Sequence, residues 1–228
     1  MPFELKKDSS RWIICGSGSG WELCPKRSNA TVMVLNDLLY VEKYGIDYDI
    51  LCIMDVLSEK PQVLSGMQDL GDAVKRINTS GKPLIAPFRY EEIPLSEPFP
   101  LKEYVKRFGA PYFLNTIAFM GAYALLKGAK QIDIYGINQA SSSEFFFEKA
   151  SVEYILGIAN GLGVKVTIHG EKSELLTTKS RFGGSLLYGY NTTYDHITRD
   201  QETYGEACIR KLLMPPKPIS RTVRPINP

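Results

Sequence analysis

The chain of 228 residues has no marked excess of charge of either sign, since 27 Lys and Arg residues stand against 25 Asp and Glu residues. A formal net charge of +2 excludes a strongly basic, histone-like nucleic-acid binder, although it is compatible with a local basic groove. Long apolar runs are also missing, because no stretch reaches the about 18–20 residues that a membrane-spanning helix requires. Residues 1–11 are polar and contain no signal-peptide core. We therefore expect a cytoplasmic protein without a membrane span.

Cysteine and histidine are scarce. The four cysteines include no C-x-x-C pair, which is against both a zinc site of the common spacing and a disulfide framework. The two histidines, His169 and His196, leave little room for histidine metal sites or for a histidine-dependent catalytic triad. We therefore expect reduced thiols and no metal site built from these residue types.

What the sequence does contain is a series of short apolar runs that alternate with segments of helical spacing. The predicted strands cover 12–15, 31–35, 50–54, 83–86, 131–135 and 164–168. The predicted helices cover 37–44, 62–78, 115–127 and 145–162. This alternation predicts an α/β fold that is Rossmann-like, with a mainly parallel sheet flanked by helices.

Two segments differ from this pattern. Residues 87–112 contain five prolines among aromatic and charged residues, which predicts a long loop or lid, with one helical turn near 101–107. Residues 191–228 are polar and end in a proline-rich, basic stretch, which predicts an extended tail. The expected organisation is one domain over 1–190, with the insertion at about 87–112, followed by the tail. The sequence leaves the oligomeric state open.

Small, amide-bearing and acidic residues follow several of the predicted strands or cap the apolar helix. In open α/β sheets, ligands bind beyond the carboxyl ends of the strands. These residues therefore predict a nucleotide site made of backbone N–H groups and neutral side chains. They are Gly16–Gly20, Asn36, Asp37, Asp55, Asn115, Thr116 and Gly136–Gln139.

The glycine-rich segment fits neither of two common nucleotide motifs. Gly16-x-Gly18 after a strand, with Asp37 about 20 residues on, is similar to the dinucleotide fingerprint, but Trp21 occupies the third glycine position. The segment that follows is too short for a crossover helix. A Walker A loop is excluded because no Gly-Lys-Ser/Thr follows. Consecutive glycine and serine residues favour close approach of a phosphate or ribose over a turn that needs glycine for backbone reasons alone.

The order of the motifs resembles that of the bacterial sialyltransferase-like glycosyltransferases and the related 6-hydroxymethylpterin pyrophosphokinase-like proteins. The resemblance covers roughly residues 12–190. It implies a Rossmann-like nucleotide-binding domain that acts as a transferase. The matching stretches are 13–18, 34–36, 53–55, 115–128, 132–138 and 152–166.

The resemblance implies a nucleotide-sugar donor, CMP-linked or carrying another nucleotide, and an acceptor hydroxyl on a glycan or on a modified nucleic-acid base. The basic tail would suit a nucleic-acid acceptor. In such a mechanism the acceptor hydroxyl attacks the anomeric carbon while a general base takes its proton. The donor-binding residues that it implies are Gly16, Ser17, Gly18, Ser19, Asn36, Asp55, Asn115, Thr116, Gly136, Asn138 and Ser143.

The catalytic residues of the family are only partly present. Ser141–Glu144 replace the expected histidine, and Gln139 with Ala140 stand where paired tyrosines are expected. The candidate catalytic residues are therefore Asp55, Glu144 and Asn138. A CMP donor would need no metal for its single phosphate, and Asp55 leaves a Mg²⁺-assisted variant open.

Two other functions are kept as alternatives. A pyrophosphokinase-like transferase would need Mg²⁺ held by clustered carboxylates, for which Asp37, Asp55 and Asp133 are the candidates. A non-catalytic nucleotide-binding module would account for the missing histidine.

Overall fold

The computed structural model describes residues 8–36, 38–59, 69–109, 111–139, 143–170, 172–176, 179–180 and 184–185. The chain divides into two units, residues 1–176 and residues 177–228. The first unit contains the sheet and all the helices described below.

The first unit is built on a seven-stranded sheet in which every pairing is parallel. The strand order is β5-β4-β3-β2-β1-β6-β7. Central strands of such a sheet are covered on both faces, which explains why β2 and β3 are almost continuously apolar. The strands are β1 (Asp8–Cys15), β2 (Ala30–Leu35), β3 (Ile50–Cys52), β4 (Leu84–Ala86), β5 (Ser96–Pro98), β6 (Gln131–Tyr135) and β7 (Lys165–Ile168).

Helices cover both faces of this sheet. Three of them, α3, α4 and α5, contribute to one buried cluster, whereas α1 and α2 contribute to the cluster on the opposite face. The side chains of β1 alternate between these clusters, since Trp12 and Ile14 belong to the first and Ile13 and Cys15 to the second. The helices are α1 (Leu38–Tyr44), α2 (Leu70–Ser80), α3 (Leu101–Phe108), α4 (Thr116–Leu126) and α5 (Ser143–Gly161).

Helix α4 is almost entirely buried, since nine of its eleven residues are buried. The Asn115 side chain accepts a hydrogen bond from the Ala118 N–H at 2.9 Å and so caps its first turn. Tyr123 of α4 meets Trp12 of β1 edge to face, with ring centroids 6.0 Å apart. This packing fixes the N-terminus of α4 beside the carboxyl ends of the central strands.

The strand order reverses direction at β1. The chain proceeds outward from β1 through β2, β3 and β4 to β5, and then returns to place β6 on the other side of β1. The chain that leaves β1 continues to one side of the sheet and the chain that leaves β6 to the other side, and such a switch point is where doubly wound sheets bind ligands.

The expected fold class, Rossmann-like α/β, is confirmed, and every strand expected from the apolar runs is present. The prediction of residues 87–112 as a loop with one helical turn is wrong in part, because they contain strand β5 and the two-turn helix α3. Strand β5 lies at the edge of the sheet, where a proline such as Pro98 is tolerated. The helix predicted at 62–78 begins at Leu70, and its expected first part, through 68, lies outside the described residues.

In the second unit, Lys179–Ser180 (β8) pairs antiparallel with Gly184–Ser185 (β9). The expected domain boundary at 190 and the tail over 191–228 lie outside the described residues and stay predictions. Within the described ranges, no helix has both the length and the apolar character of a membrane span.

Candidate functional site

Two adjoining clefts lie at the carboxyl ends of the central strands. The larger cleft has a volume of about 670 Å³ and the smaller cleft about 350 Å³. They share Leu35, Ile117 and Gln139. The larger cleft is otherwise lined by Asn36, Met54, Asp55, Phe113, Leu114, Asn115, Thr116, Phe119 and Glu148. The smaller cleft is otherwise lined by Gly16, Ser17, Gly18, Gly136, Ile137 and Asn138.

The smaller cleft is bounded by two backbone segments in direct contact. The Gly16 N–H donates to the Tyr135 carbonyl and the Gly18 N–H to the Gly136 carbonyl, each at 2.8 Å. A Cβ on Gly136 would lie 2.4 Å from the Gly16 oxygen and 2.5 Å from the Trp21 Cβ. Gly136 also has a φ of 62°, a conformation that other residues rarely adopt. Close packing of these two loops therefore requires glycine even without a ligand.

Asn138 fastens the same two loops together. With its amide oriented to satisfy both groups, its nitrogen donates to the Ser19 carbonyl at 2.8 Å and its oxygen accepts from the Ser19 N–H at 3.0 Å. The Gly20 N–H donates to the Glu22 carboxylate at 3.1 Å. Within Gly16–Gly20, Ser17 is the residue for which no hydrogen-bond partner is found among the described residues, and it is exposed at the cleft. Its N–H and hydroxyl are the donors that this loop offers to a ligand.

The N-terminus of α4 forms one wall of the larger cleft. Asn115 uses its oxygen for the helix cap, and its nitrogen lies 3.3 Å from the Glu148 Oε2 of α5. Thr116, the first residue of α4, is buried and also lines the cleft. Asn115 thus holds a carboxylate of the neighbouring helix at the edge of the cleft.

Two amide side chains of the larger cleft contain oxygens without partners. Asn36 Oδ1 and Gln139 Oε1 are buried and have no hydrogen-bond partner among the described residues. Asn36 has a φ of 41° and Gln139 a φ of 48°, which is uncommon for residues other than glycine, and Gln139 is only 6% exposed. Unpaired buried polar atoms and sparsely populated backbone conformations both cost free energy, and they concentrate at functional sites.

An aromatic cluster closes the other side of the larger cleft. The Phe113 and Phe119 rings are stacked with centroids 4.2 Å apart, and both residues line the cleft. Tyr104 of α3 lies behind them, 4.9 Å from the Phe113 ring. Burial raises the pKa of Tyr104 to about 12, so its phenol is neutral at physiological pH. These rings offer a flat apolar surface to a base or a sugar ring.

The charges of the larger cleft are all of one sign. Its lining includes the carboxylates of Asp55 and Glu148 and contains no Lys or Arg among the described residues. Nor do the described residues include a group of three or more His, Cys, Asp and Glu side chains that could hold a metal ion. The described lining therefore combines two carboxylates with the N-terminus of α4, whose N–H groups carry partial positive charge.

Most of the predicted site residues line one of the two clefts. Gly16, Ser17, Gly18, Gly136 and Asn138 line the smaller cleft, and Asn36, Asp55, Asn115 and Thr116 line the larger one.

Three predicted residues do not line either cleft in the described part of the chain. Ser19 is bonded through its backbone to Asn138. Ser143 and Glu144 begin α5, and their side chains lie outside the described residues. Whether any of the predicted residues binds a donor or acts in catalysis stays a prediction.

Eight residues of the larger cleft are not among the predicted site residues, and four of them bear on its chemistry. Glu148 is one helical turn beyond Glu144, so the helical period of α5 was the signal that could have found it. Gln139 was among the strand-end residues but was not assigned a role. Phe113 and Phe119 flank the Asn115–Thr116 cap and look like ordinary core residues, because no sequence signal separates a cleft wall from a core.

His169 and Asp133 interact with each other and line neither cleft. His169 Nε2 lies 3.2 Å from Asp133 Oδ1, and its ring is stacked on Tyr135 at 4.2 Å. Gln131 donates to the other Asp133 oxygen at 2.7 Å. Asp133 therefore does not join Asp55 in a carboxylate cluster, as the Mg²⁺ alternative would require.

No family model matches the chain, and no curated protein matches it. Several solved structures are similar in fold. CstII of Campylobacter jejuni, a sialyltransferase solved with CMP-3FNeuAc, has 14% identity and a TM-score of 0.48, covering 72% of this chain and 83% of its own. The monofunctional alpha-2,3-sialyltransferase Cst-I of the same organism has 15% identity and a TM-score of 0.47, covering 93% of this chain and 98% of its own. Both belong to the group that the sequence motifs resemble. Because these TM-scores are below 0.5, the function proposed next rests on the clefts themselves.

Proposed function

We propose that the chain is a glycosyltransferase that takes a sugar from a nucleotide-sugar donor to an acceptor hydroxyl. The observation that supports this most strongly is the pair of clefts at the switch point of the sheet. The two clefts adjoin and share Gln139. The lining of the smaller cleft is mostly backbone and small polar residues, whereas that of the larger cleft includes aromatic rings and carboxylates. A nucleotide-sugar has its phosphate between a nucleoside and a sugar, and it would match that difference with the phosphate in the smaller cleft and one of its hydroxyl-bearing rings in the larger one.

The smaller cleft suits the phosphate part of such a donor. Its walls include glycine, serine and asparagine, so the backbone can approach a ligand closely, and the Ser17 N–H and hydroxyl have no hydrogen-bond partner in the described part of the chain. The larger cleft suits rings, because the Phe113 and Phe119 surface faces amide and hydroxyl groups on the other wall. Asn36 and Thr116 are the donor-binding residues that we assign to it.

The reaction would follow a direct displacement. The acceptor oxygen forms a bond to the anomeric carbon as the bond from that carbon to the nucleotide phosphate breaks, and the phosphate leaves with the electron pair. A carboxylate takes the acceptor proton. Among the described residues, Asp55 and Glu148 are the carboxylates that line the larger cleft, and Glu148 is held in position by Asn115. Asn138, in contrast, is a positioning residue, since both ends of its amide bind Ser19.

A thermal-shift screen with CMP, UDP, GDP, ATP and their sugar conjugates, with and without Mg²⁺, tests the proposal. A ligand at 100 times its Kd stabilises the folded protein by about 2.7 kcal/mol, which is a measurable shift. We expect at least one nucleotide to raise the melting temperature, and Asn36→Ala and Thr116→Ala to reduce that shift. If no nucleotide has an effect, the proposed function is wrong.

Donor turnover identifies the base. Asp55→Asn and Glu148→Gln each remove one carboxylate with little change of shape. The variant that lacks the base should lose about 100-fold or more in kcat while donor binding changes little. The other variant serves as its control. Equal activity of both variants and the wild type would exclude a carboxylate base in this cleft, and nucleotide binding without turnover of any donor would favour a non-catalytic module.

A further inference from the structure

We propose that Tyr112 and Tyr154 form a further binding site beside the larger cleft, which holds a glycan acceptor by the faces of its sugar rings. The proposal rests on the function proposed above, because a glycan bound here is the acceptor of the same transferase. It adds that the acceptor is an oligosaccharide. One sugar of this acceptor lies in the larger cleft while a neighbouring sugar contacts the tyrosine pair.

The two tyrosines belong to a group of large apolar side chains that are exposed at the rim of the larger cleft. Tyr112 is 38% exposed, Tyr154 39% and Leu114 48%. Leu114 also lines the cleft, and the Cα atoms of Tyr112 and Leu114 are at most about 7 Å apart along the chain. Single exposed apolar residues are common, whereas a contiguous group beside a cleft indicates a binding surface.

The two rings come from different elements and are fixed relative to each other. Their centroids are 5.6 Å apart and their planes are inclined by 72°, an edge-to-face contact. The Leu114 N–H donates to Ser151 Oγ at 3.3 Å, and Ser151 is buried in α5 one turn before Tyr154. The segment that carries Tyr112 is therefore attached to α5. A ligand would lose little free energy in ordering the two rings.

The outer side of Tyr154 is bordered by small residues along α5. Ala150 lies one turn before Tyr154 and Gly157 one turn after it, and both are exposed. Apart from the adjacent backbone of the helix, no atom of the described residues lies within 4 Å of where a Gly157 Cβ would be. These small residues leave room for a ring-shaped ligand to approach the face of Tyr154.

A sugar ring matches this surface in its chemistry. One face of a pyranose carries C–H groups, which pack against the electron-rich face of an aromatic ring, while its hydroxyl groups point outward at the edges. Glu148, at the cleft beside Leu114, can accept hydrogen bonds from such hydroxyls. A nucleic acid fits less well, because its phosphodiester would pass the Glu148 carboxylate. The full negative charge of that group exceeds the partial positive charge at the N-terminus of α4.

Binding to a glycan array, followed by titration calorimetry, tests the proposal. The full chain is applied to an array of mono- to hexasaccharides that also carries oligonucleotides, with and without the nucleotide that the thermal-shift screen identifies. We expect oligosaccharides to bind more tightly than monosaccharides. For the tightest oligosaccharide, Tyr112→Ala and Tyr154→Ala should each raise the Kd about tenfold. Tyr154→Phe keeps the ring and should stay within about twofold of the wild type.

A shorter ligand separates a binding role from a structural one. The tightest-binding monosaccharide fragment of the same oligosaccharide should occupy the cleft alone. Its Kd, measured by saturation-transfer NMR, should therefore be the same in the two alanine variants as in the wild type. Tyrosines with a purely structural role would instead change the affinity for both ligands equally.

Two variants serve as controls. Phe88→Ala removes another exposed aromatic ring, 44% exposed, that lines neither cleft, and it should leave both affinities unchanged. Tyr112 lies outside the helices and strands, so Tyr112→Ala provides the same test if Tyr154→Ala does not fold.

Three results would overturn the proposal. They are an array on which no saccharide binds, equal losses of affinity for the long and the short saccharide, and an oligonucleotide that outcompetes the saccharides and depends on the two tyrosines. The proposed function fails separately. Tyrosine-dependent oligosaccharide binding by a protein that binds no nucleotide would confirm the site and contradict the transferase. Nucleotide binding without any saccharide binding would contradict the site alone.

Discussion

The smaller cleft is bounded by backbone and glycine whose hydrogen bonds are largely satisfied, whereas the larger cleft is bounded by side chains with unpaired polar atoms. In the smaller cleft, Gly16 bonds to the last residue of β6 and Gly18 to the loop that follows it, and Asn138 bonds to Ser19. In the larger cleft, Asn36 and Gln139 hold buried oxygens without partners among the described residues. The comparison separates residues that hold the site together from residues that are available to a ligand. Substitutions in the first group should affect stability, and those in the second should affect binding.

The largest effect on stability is expected at Gly136. In Gly136→Ala, the new Cβ would overlap the Gly16 carbonyl and the Trp21 Cβ at a φ of 62°, and neither neighbour is a flexible side-chain end. We expect a loss of about 3 kcal/mol or more in the free energy of unfolding, measured by urea denaturation.

Gly157→Ala is the matched control, because Gly157 lies in α5 without a positive φ, and no atom of the described residues, apart from the adjacent backbone of its own helix, lies within 4 Å of the new methyl group. It should stabilise the protein by about 0.5–1 kcal/mol. If Gly136→Ala is as stable as this control, the two loops are not in the contact described.

A smaller effect on stability is expected at Asn115, which caps α4 and also lines the larger cleft. Asn115→Ala removes the cap of α4 and should cost about 1 kcal/mol in the free energy of unfolding. Asn115→Ser keeps a capping oxygen but cannot reach Glu148, so it should be within about 0.5 kcal/mol of the wild type. Any loss of donor turnover in Asn115→Ser then reports on the position of Glu148. An equal loss of stability in Asn115→Ala and Asn115→Ser would show that the loss does not come from the missing cap of α4.

At Asn36 we expect stability and binding to move in opposite directions. Asn36→Gly relieves a φ of 41° and removes a buried oxygen without a partner, so the free energy of unfolding should stay the same or rise by up to about 1 kcal/mol. Binding of the nucleotide found in the screen should weaken about tenfold. A clear loss of stability, measured by the same urea titration, would mean that Asn36 has a structural role.

The smallest effect on stability at neutral pH is expected at Tyr104, which lies behind the Phe113 and Phe119 rings. Its hydroxyl has no partner among the described residues, so Tyr104→Phe should change the free energy of unfolding by less than about 0.5–1 kcal/mol at pH 7. Because the folded pKa of about 12 exceeds the unfolded value near 10, the stability from the neutral phenol is complete below pH 10. It is lost as the pH rises from 10 to 12.

Urea titrations at several pH values between 7 and 11 check this difference. The wild type should lose stability above pH 10 by more than Tyr104→Phe does. Parallel curves for the two proteins would show that the Tyr104 phenol is not buried in the folded state.

The fold could be predicted largely from the sequence because its signals are local. Short apolar runs such as Ile50–Cys52 and the cap at Asn115 depend on neighbouring residues alone, and both occur at the expected positions. Strand β5 was not predicted, because Ser96–Pro98 has no strand propensity and pairs only through its position beside β4. At β5, the pairing with β4 outweighs the low strand propensity of the residues themselves.

The candidate site was predictable in position but not in the roles of its residues. Strand-end residues meet at one edge in any parallel sheet, so Asn36, Asp55 and Gly136 could be placed there from their order alone. The bonding of Asn138 to Ser19 depends on two loops that are far apart in sequence. The same holds for Glu148, which reaches the cleft only because α5 packs against α4.

The sequence by itself determined the order of the strands and helices other than β5 and α3, the glycine-rich loop and the near-neutral charge, since each follows from residue type and spacing. Only the tertiary structure decided which polar groups are hydrogen-bonded within the protein and which are available to a ligand. The physical reason is that hydrogen-bond satisfaction is a property of contacts between distant segments. Asn138 and Gln139 are adjacent in the chain, yet one amide is fully bonded and the oxygen of the other is buried without a partner.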